Sequence, residues 1–295
     1  MKRSISTISD EISRNETNGV YDSKKAHHKA RVRRQQSKYQ AKKIIENKEL
    51  EKFILEHLYD GQSPANIAGR IKKKEKHLPY ISKESIYRFI ASIYGRKVEG
   101  FRNKKKQRKR GRGKKVAQLK DRVFIAKRPK YINNRTRVGD AEADFIVSGK
   151  TGKGILLTLA DRKIRTSFLE QILDVCIKNV HKAFVRIKKR FPELKTITTD
   201  NDILLKHHKQ LEKLLGIKIY FCDPYSSWQK GTIENTNKYI RKDIPKGSDI
   251  SRYSKREIRR IEEKLNRRFM KVNDHETPSE ALERHRKKKK HRLGV

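Results

Sequence analysis

The run Asp140-Ala141-Glu142-Ala143-Asp144-Phe145-Ile146-Val147 constrains the fold more than any other stretch of the chain. Acids alternate with apolar residues and then give way to an apolar run. That is the period-2 pattern of a strand, and it sets Asp140, Glu142 and Asp144 on one face. Carboxylates on a strand entering a core are costly unless a cation meets them. Downstream, Ile155 to Ala160 and Thr166 to Leu169 read as two further strands and Asp174 to Arg190 as an amphipathic helix. Thr196 to Thr199 reads as a strand ending in Asp200-Asn201-Asp202, followed by a helix around His207 to Leu215 and a strand at Ile217 to Phe221. Three adjacent strands, then helix, strand, helix and strand, describe an α/β domain with a mixed five-stranded sheet. Its acids fall at strand ends, where open α/β sheets gather ligands.

Those acids stand out because the chain is otherwise so basic. Among 295 residues, 77 Lys and Arg oppose 34 Asp and Glu, a net charge of +43. The excess runs from Lys2 to Arg292, which suits a long phosphate backbone better than a small acidic ligand and makes nucleic acid the expected partner. No apolar run approaches the roughly 18 residues of a membrane span. Met1 to Thr17 lacks the apolar core of a signal peptide, so the cytoplasm is the expected compartment. Cys176 and Cys222 are the only cysteines and cannot build a disulfide framework or, alone, a zinc site.

Upstream of residue 100 the pattern is helical. Leu50, Phe53, Ile54, His57 and Leu58 fall at helical spacing, Asp60-Gly61 breaks the helix, and Ser63-Pro64 starts another with Ile67 and Ile71 inward. After Pro79, Ser82 reads as an N-cap for a third helix with Ile86, Phe89 and Ile90 buried. This is the outline of a helix-turn-helix, whose last helix would turn Lys83, Glu84, Tyr87 and Arg88 toward DNA. A structural or dimerising three-helix bundle gives the same pattern. Ile5, Ile8 and Ile12 mark an apolar stripe on an earlier short helix, which either docks on the following helices or belongs to a helix-turn-helix whose first helix lies outside this sequence. Residues 102–115 hold ten Lys or Arg, including Arg108, Arg110 and Arg112, and no acid. The run reads as an electrostatic linker and, more weakly, as a minor-groove arm.

The element order is that of a ribonuclease-H-like fold, and 33 residues separate Asp200 from Glu234. Asp144, Asp200 and Glu234 at this spacing, with Tyr220 to Ser226 and Trp228-Gln229-Lys230-Gly231-Thr232-Ile233-Glu234-Asn235-Thr236-Asn237, resemble the catalytic region of insertion-sequence-thirty family DDE transposases, relatives of retroviral-type integrases. Arg128-Pro129, Pro245-Lys246-Gly247 and Thr277-Pro278 extend the resemblance, and Ser6-Thr7-Ile8, Arg14-Asn15 and Ser63-Pro64 carry it upstream, so that it spans residues 4–282. The chain departs from the family at Ala141, Asp202, Ser227 and Ile233, where Trp, Gly, Pro and Asn are usual.

The resemblance implies a catalytic α/β ribonuclease-H-like domain preceded by an all-α helix-turn-helix region. The expected segments are a partial helix-turn-helix and basic helix at 1–45, a helix-turn-helix domain at 46–96, a basic linker at 97–130, a catalytic core at 131–250 and a basic helix and tail at 251–295. It implies an enzyme that cuts and joins double-stranded DNA, at the element's terminal repeats and at target DNA, as a homo-oligomer. Two magnesium or manganese ions would be held by Asp144 between both ions, Asp200 on one and Glu234 on the other. Glu142, Asn201 and Asn235 would stand behind these ligands, and Asp140 and Glu142 would either support them or be structural. On the helix after Gly231, Glu234, Lys238 and Arg241 fall on one face, so Lys238 and Arg241 would hold the DNA backbone; a solvated Lys238 is an equal reading. Trp228 would either stack on a base or pack in the core. Two other functions stay open: a copy that only binds DNA, and a structured-RNA hydrolase on the same fold, which the helix-turn-helix disfavours.

Overall fold

The computed structural model describes residues 4–37, 42–92, 94, 95, 98, 121–223 and 226–292. Arg108, Arg110 and Arg112, together with Pro224 and Tyr225, lie outside these residues. Chain contacts divide the molecule into two compact units, 1–104 and 105–295.

The first unit is helical: α1 (Ile5–Asn15), α2 (Ser23–Ser37), α3 (Lys42–Glu46), α4 (Lys48–Tyr59), α5 (Pro64–Lys73) and α6 (Lys83–Ala91). Local chemistry sets the starts of the last three. Asn47, Ser63 and Ser82 each accept a backbone N–H three residues on, at Leu50, Asn66 and Ser85, and Pro64 occupies a first turn that has no use for its missing N–H. The stripes expected from spacing meet in one core of Leu50, Ile54, Leu58, Ile67, Ile71, Ile86, Phe89 and Ile90. Lys83, Glu84, Tyr87 and Arg88 face solvent on α6. The stripe of α1 does not dock: Ile5 is 88% exposed, and Ile8 and Ile12 are also exposed. Asn15 and Lys29 carry the contact of α1 with α2 instead, where the Lys29 ammonium donates to the Asn15 carbonyl at 3.2 Å.

The second unit is an α/β sandwich. After a single turn, α7 (Lys130–Asn133), come β1 (Asp140–Val147), β2 (Ile155–Asp161), β3 (Ser167–Ile172), α8 (Ile177–Arg190), β4 (Thr196–Thr199), α9 (His208–Leu215), β5 (Lys218–Phe221), α10 (Gly231–Asp243), α11 (Lys255–Asn266) and α12 (Pro278–Arg292). The five strands order as β3-β2-β1-β4-β5. The first three are antiparallel neighbours, while β4 runs parallel to β1, and β5 to β4. This is the mixed sheet expected of a ribonuclease-H-like core. One departure is the supposed basic tail at Lys287 to Arg292, which continues α12; Arg286, on the same helix, holds Glu193 through two nitrogens at 2.8 and 3.0 Å.

Each face of the sheet buries a different set of helices. Ala141 and Ala143 join Val180, Phe184, Ile187, Leu211 and Leu215 beneath α8 and α9. Ile146, on the acid-bearing face, joins Ile240 of α10 and Ile258, Ile261 and Leu265 of α11. The alternation of β1 therefore points its acids at α10. Gly139 sets where β1 begins: at φ +104°, a Cβ there would fall 1.9 Å from the Glu193 carbonyl oxygen, so only glycine lets the two segments touch.

Candidate active site

Parallel pairing of β1 with β4 sets Asp140 beside Thr196 and Glu142 beside Thr198. Two residues further along stand Asp144, in the middle of β1 and not at a strand end as expected, and Asp200, just past the end of β4. A single cation joins them: the Lys230 ammonium lies 3.2 Å from Asp144 Oδ1 and 3.2 Å from Asp200 Oδ1. Lys230 is buried, and its side chain is 6% exposed against 28% for Asp144 and 53% for Asp200. The other oxygen of Asp144 accepts from Asn237 Nδ2 at 2.7 Å. Burial pushes the Asp144 carboxyl above its ordinary range; Lys230 opposes that shift and Asp200 adds to it. The two carboxylates hold Lys230 charged despite its burial.

Glu142 does different work. It is 1% exposed and accepts the Thr232 and Ile233 amides at 2.8 and 3.0 Å, while Arg162 donates its Nε at 3.0 Å. A carboxylate from β1 thus caps α10, fixing the first turn of the helix that carries Glu234. Asp140, fully buried, accepts from Arg137 Nε and Nη2 and from the Thr196 hydroxyl. Arg128, pressed down to about 10 chiefly by burial, donates to the Thr198 hydroxyl at 2.9 Å.

Glu234 stands on the exposed side of the first turns of α10, paired with Lys238 one turn later at 3.2 Å. Arg241, on the same face, donates to the Pro245 carbonyl at 3.2 Å. Trp228 is 73% exposed, which rules out core packing. It is presented by a braced loop, in which Gln229 and Asp223 exchange two hydrogen bonds of 2.9 and 2.7 Å. Asp202 caps the short turn after it by accepting the Leu204 amide at 2.9 Å.

Two expected supporting residues face elsewhere. Asn201 receives Arg122 Nη1 at 2.5 Å and donates to the Cys222 carbonyl, and Asn235 lines a separate groove. The reason in the second case is helical geometry, because Asn235 lies about 100° around the helix from Glu234. Sequence reading passed over Lys230 and Asn237. Lys230 stands four residues before Glu234 and Asn237 three after it, spacings that mark one helical face.

The donor chemistry suits a hard divalent ion at Asp144 and Asp200. Both are oxygen donors already sharing a cation, and the nearby Cys222 is pushed up by burial to about 12, so no thiolate competes. Among the described residues no three His, Cys, Asp or Glu stand close enough to hold an ion. Glu234 is turned to Lys238.

The strand order and mixed pairing define the class of fold, ribonuclease-H-like, and bring Asp144 of β1 and Asp200 beyond β4 to one cation. Among known proteins the chain is 35% identical over 285 residues to the transposase for insertion sequence element IS4351 of Bacteroides fragilis, covering 94% of this chain and 86% of that protein. It is 32% identical over 301 residues to transposase InsI for IS30A of Escherichia coli K12, covering 96% of this chain and 77% of that protein. The chain belongs to the IS30 family of insertion-sequence transposases. The transposase for IS1086 of Cupriavidus metallidurans is 31% identical, over 78% of this chain and 71% of that protein. The catalytic core domain of BIV integrase superposes with a TM-score of 0.41 at 17% identity, covering 51% of this chain and 97% of that one. No family model matches the chain. Among the described residues no helix is long and apolar enough to cross a membrane.

Proposed function

We propose that this transposase cuts and joins DNA with Asp144, Asp200 and Glu234 as its metal-binding acids, acting on double-stranded terminal repeats and target DNA as a homo-oligomer in the cytoplasm. The observation that carries the reading is the pairing of Asp144 with Asp200 around one cation, beside the helix that bears Glu234. Two magnesium or manganese ions bound there would activate the attacking oxygen and offset charge on the leaving oxygen.

The chain's own residues do the positioning. Glu142 fixes the first turn of α10, and so the distance of Glu234 from the strands. Asn237 orients the Asp144 carboxylate, and Lys230 stabilises the two aspartates until the ions take their place. Lys238, Arg241 and the exposed Trp228 flank the acids, where they would hold the strand by its phosphates and stack on a base. In the first step a water oxygen bonds to phosphorus as the bond to the 3′ oxygen breaks, leaving a 3′-hydroxyl. In the second that hydroxyl bonds to a target phosphorus, and the target's own phosphodiester bond breaks. Lys83, Tyr87 and Arg88 of α6 would read the element end.

The test is joining of a terminal-repeat duplex to plasmid DNA with magnesium, comparing wild type with Glu234→Gln. Joining that disappears in the variant while duplex binding persists is the expected result. Equal joining by both proteins would remove Glu234 from the chemistry.

A further inference from the structure

A groove of about 280 Å³ runs along α10 on the flank opposite the carboxylates, lined by Arg135, Arg165, Arg268, Ser167, Asn235 and Thr236 among others. Residues 232, 235 and 236 share that flank, whereas 234, 237, 238 and 241 share the catalytic one. Three arginines line the groove and no acid does. Among the described residues none of the three arginines pairs with a carboxylate. Arg268 is only 8% exposed, its guanidinium carbon sits 3.2 Å from the Tyr239 ring centre, and its buried Nε has no hydrogen-bond partner. Arg165 donates Nη1 to the Thr232 hydroxyl at 2.5 Å, and burial with Arg135 nearby presses it down to about 10.

Like charges gathered with no carboxylate in direct contact, Glu142 and Asp161 acting on Arg165 only from a distance, are costly, and a buried guanidinium with an unused donor more so. Arg135 and Arg165 also both adopt the left-handed backbone, at φ +55° and +67°, where side chains other than glycine are uncommon. An anion satisfies all of these features together. The helix terminus is not what would bind it, because Glu142 already takes the Thr232 and Ile233 amides. The donors left are guanidinium groups, whose forked geometry matches phosphate.

We propose that Arg135, Arg165 and Arg268 form a binding site for one backbone phosphate of the DNA strand, close to the phosphate that is cut. This deepens the reading of the chain as a DNA-cutting enzyme and rests on it. The site would hold the strand from behind α10 while Glu234 faces it from the front, fixing the reacting phosphate by two points rather than one.

The experiment measures binding of the full chain to a terminal-repeat duplex in EDTA, by anisotropy across a salt series. Duplexes carry a neutral methylphosphonate at successive positions, and wild type is compared with Arg135→Gln/Arg165→Gln and with Arg135→Lys/Arg165→Lys. One methylphosphonate should weaken wild type by roughly tenfold, yet leave the Gln variant nearly unaffected, and the variant's salt slope should fall by about 1. The Lys variant should recover part of the loss. The proposal is overturned if every methylphosphonate affects wild type and the Gln variant alike. It is also overturned if millimolar inorganic phosphate raises the melting temperature of wild type alone while duplex binding is unchanged, since the groove would then take free phosphate. Should the Gln variant not fold, methylglyoxal modification of wild type read by mass spectrometry decides: the duplex must protect Arg135 and Arg165. Because no metal or chemistry enters, a protein inert in joining can still pass, and an active one can still fail.

Discussion

Replacing Lys230 by Met removes the one ammonium that Asp144 and Asp200 share and leaves a side chain of similar length. At 3.2 Å from each carboxylate, a charge pair at an effective dielectric near 20 is worth about 5 kcal/mol before desolvation. Asp200 is more than half exposed, so solvent screens its share to below about 1 kcal/mol. Asp144 is mostly buried, and stranding such a partner costs about 3 kcal/mol, at the lower end for buried pairs. Burying an ammonium is itself costly, and Met avoids that cost, so the net loss expected is about 2–4 kcal/mol. For a unit of the size of 105–295, that lowers the melting temperature in EDTA by roughly 5–12 °C.

The same lysine must be displaced when an ion binds, so its loss has the opposite effect on metal. Calorimetric titration with manganese should show the Lys230→Met variant binding about tenfold tighter or better than wild type, since each 1.4 kcal/mol of displaced pairing returns a factor of 10. Added manganese should also raise the variant's melting temperature more than wild type's. An unchanged melting temperature in EDTA together with unchanged manganese affinity would refute the account of Lys230 as the resident counter-ion of the two aspartates.

Two further outcomes follow from neighbouring residues. Glu142→Gln exchanges a carboxylate that accepts two helix amides and pairs with Arg162 for an amide with one acceptor oxygen; it should cost about 3 kcal/mol in chemical unfolding. Strand joining by that variant should fall far more than duplex binding, and equal losses in both would count against a role in setting α10. For pH, burial raises the Asp144 carboxyl above the usual value near 3.9, and an ion requires the ionised form. Manganese affinity should therefore drop away, as the solution is acidified, at a higher pH than an exposed aspartate would give. A profile that stays flat down to the ordinary aspartate range would show that Asp144 is not a ligand.

What the sequence made legible were the features with a period. The alternation in β1 announced the strand and its acid face, helical spacing located α4, and spacing together with Ser63 and Ser82 located α5 and α6. The acids were visible because carboxylates are rare in so basic a chain. Lys230 was invisible for the complementary reason, since one more lysine among 77 Lys and Arg carries no signal of its own. Trp228 could be read either way because exposure depends on the loop, and the Gln229 to Asp223 bracing that sets it is a pair of side-chain bonds without periodicity. The Arg135, Arg165 and Arg268 groove was equally hidden, assembled from two turns and the end of α11.

The step least available to sequence reading is also the one the chemistry depends on. Asp144 and Asp200 lie 56 positions apart, and nothing local says that β4 pairs with β1 rather than with β3, or in which register. Shifting β4 by one residue would turn Thr198 away from Glu142 and point the strand's end to the other face. Arg128, donating to the Thr198 hydroxyl, and Asp140, accepting from the Thr196 hydroxyl, hold that register from within the acid face. The buried polar residues of β1 and β4 therefore act before any substrate arrives, because they decide that two distant aspartates meet at one cation.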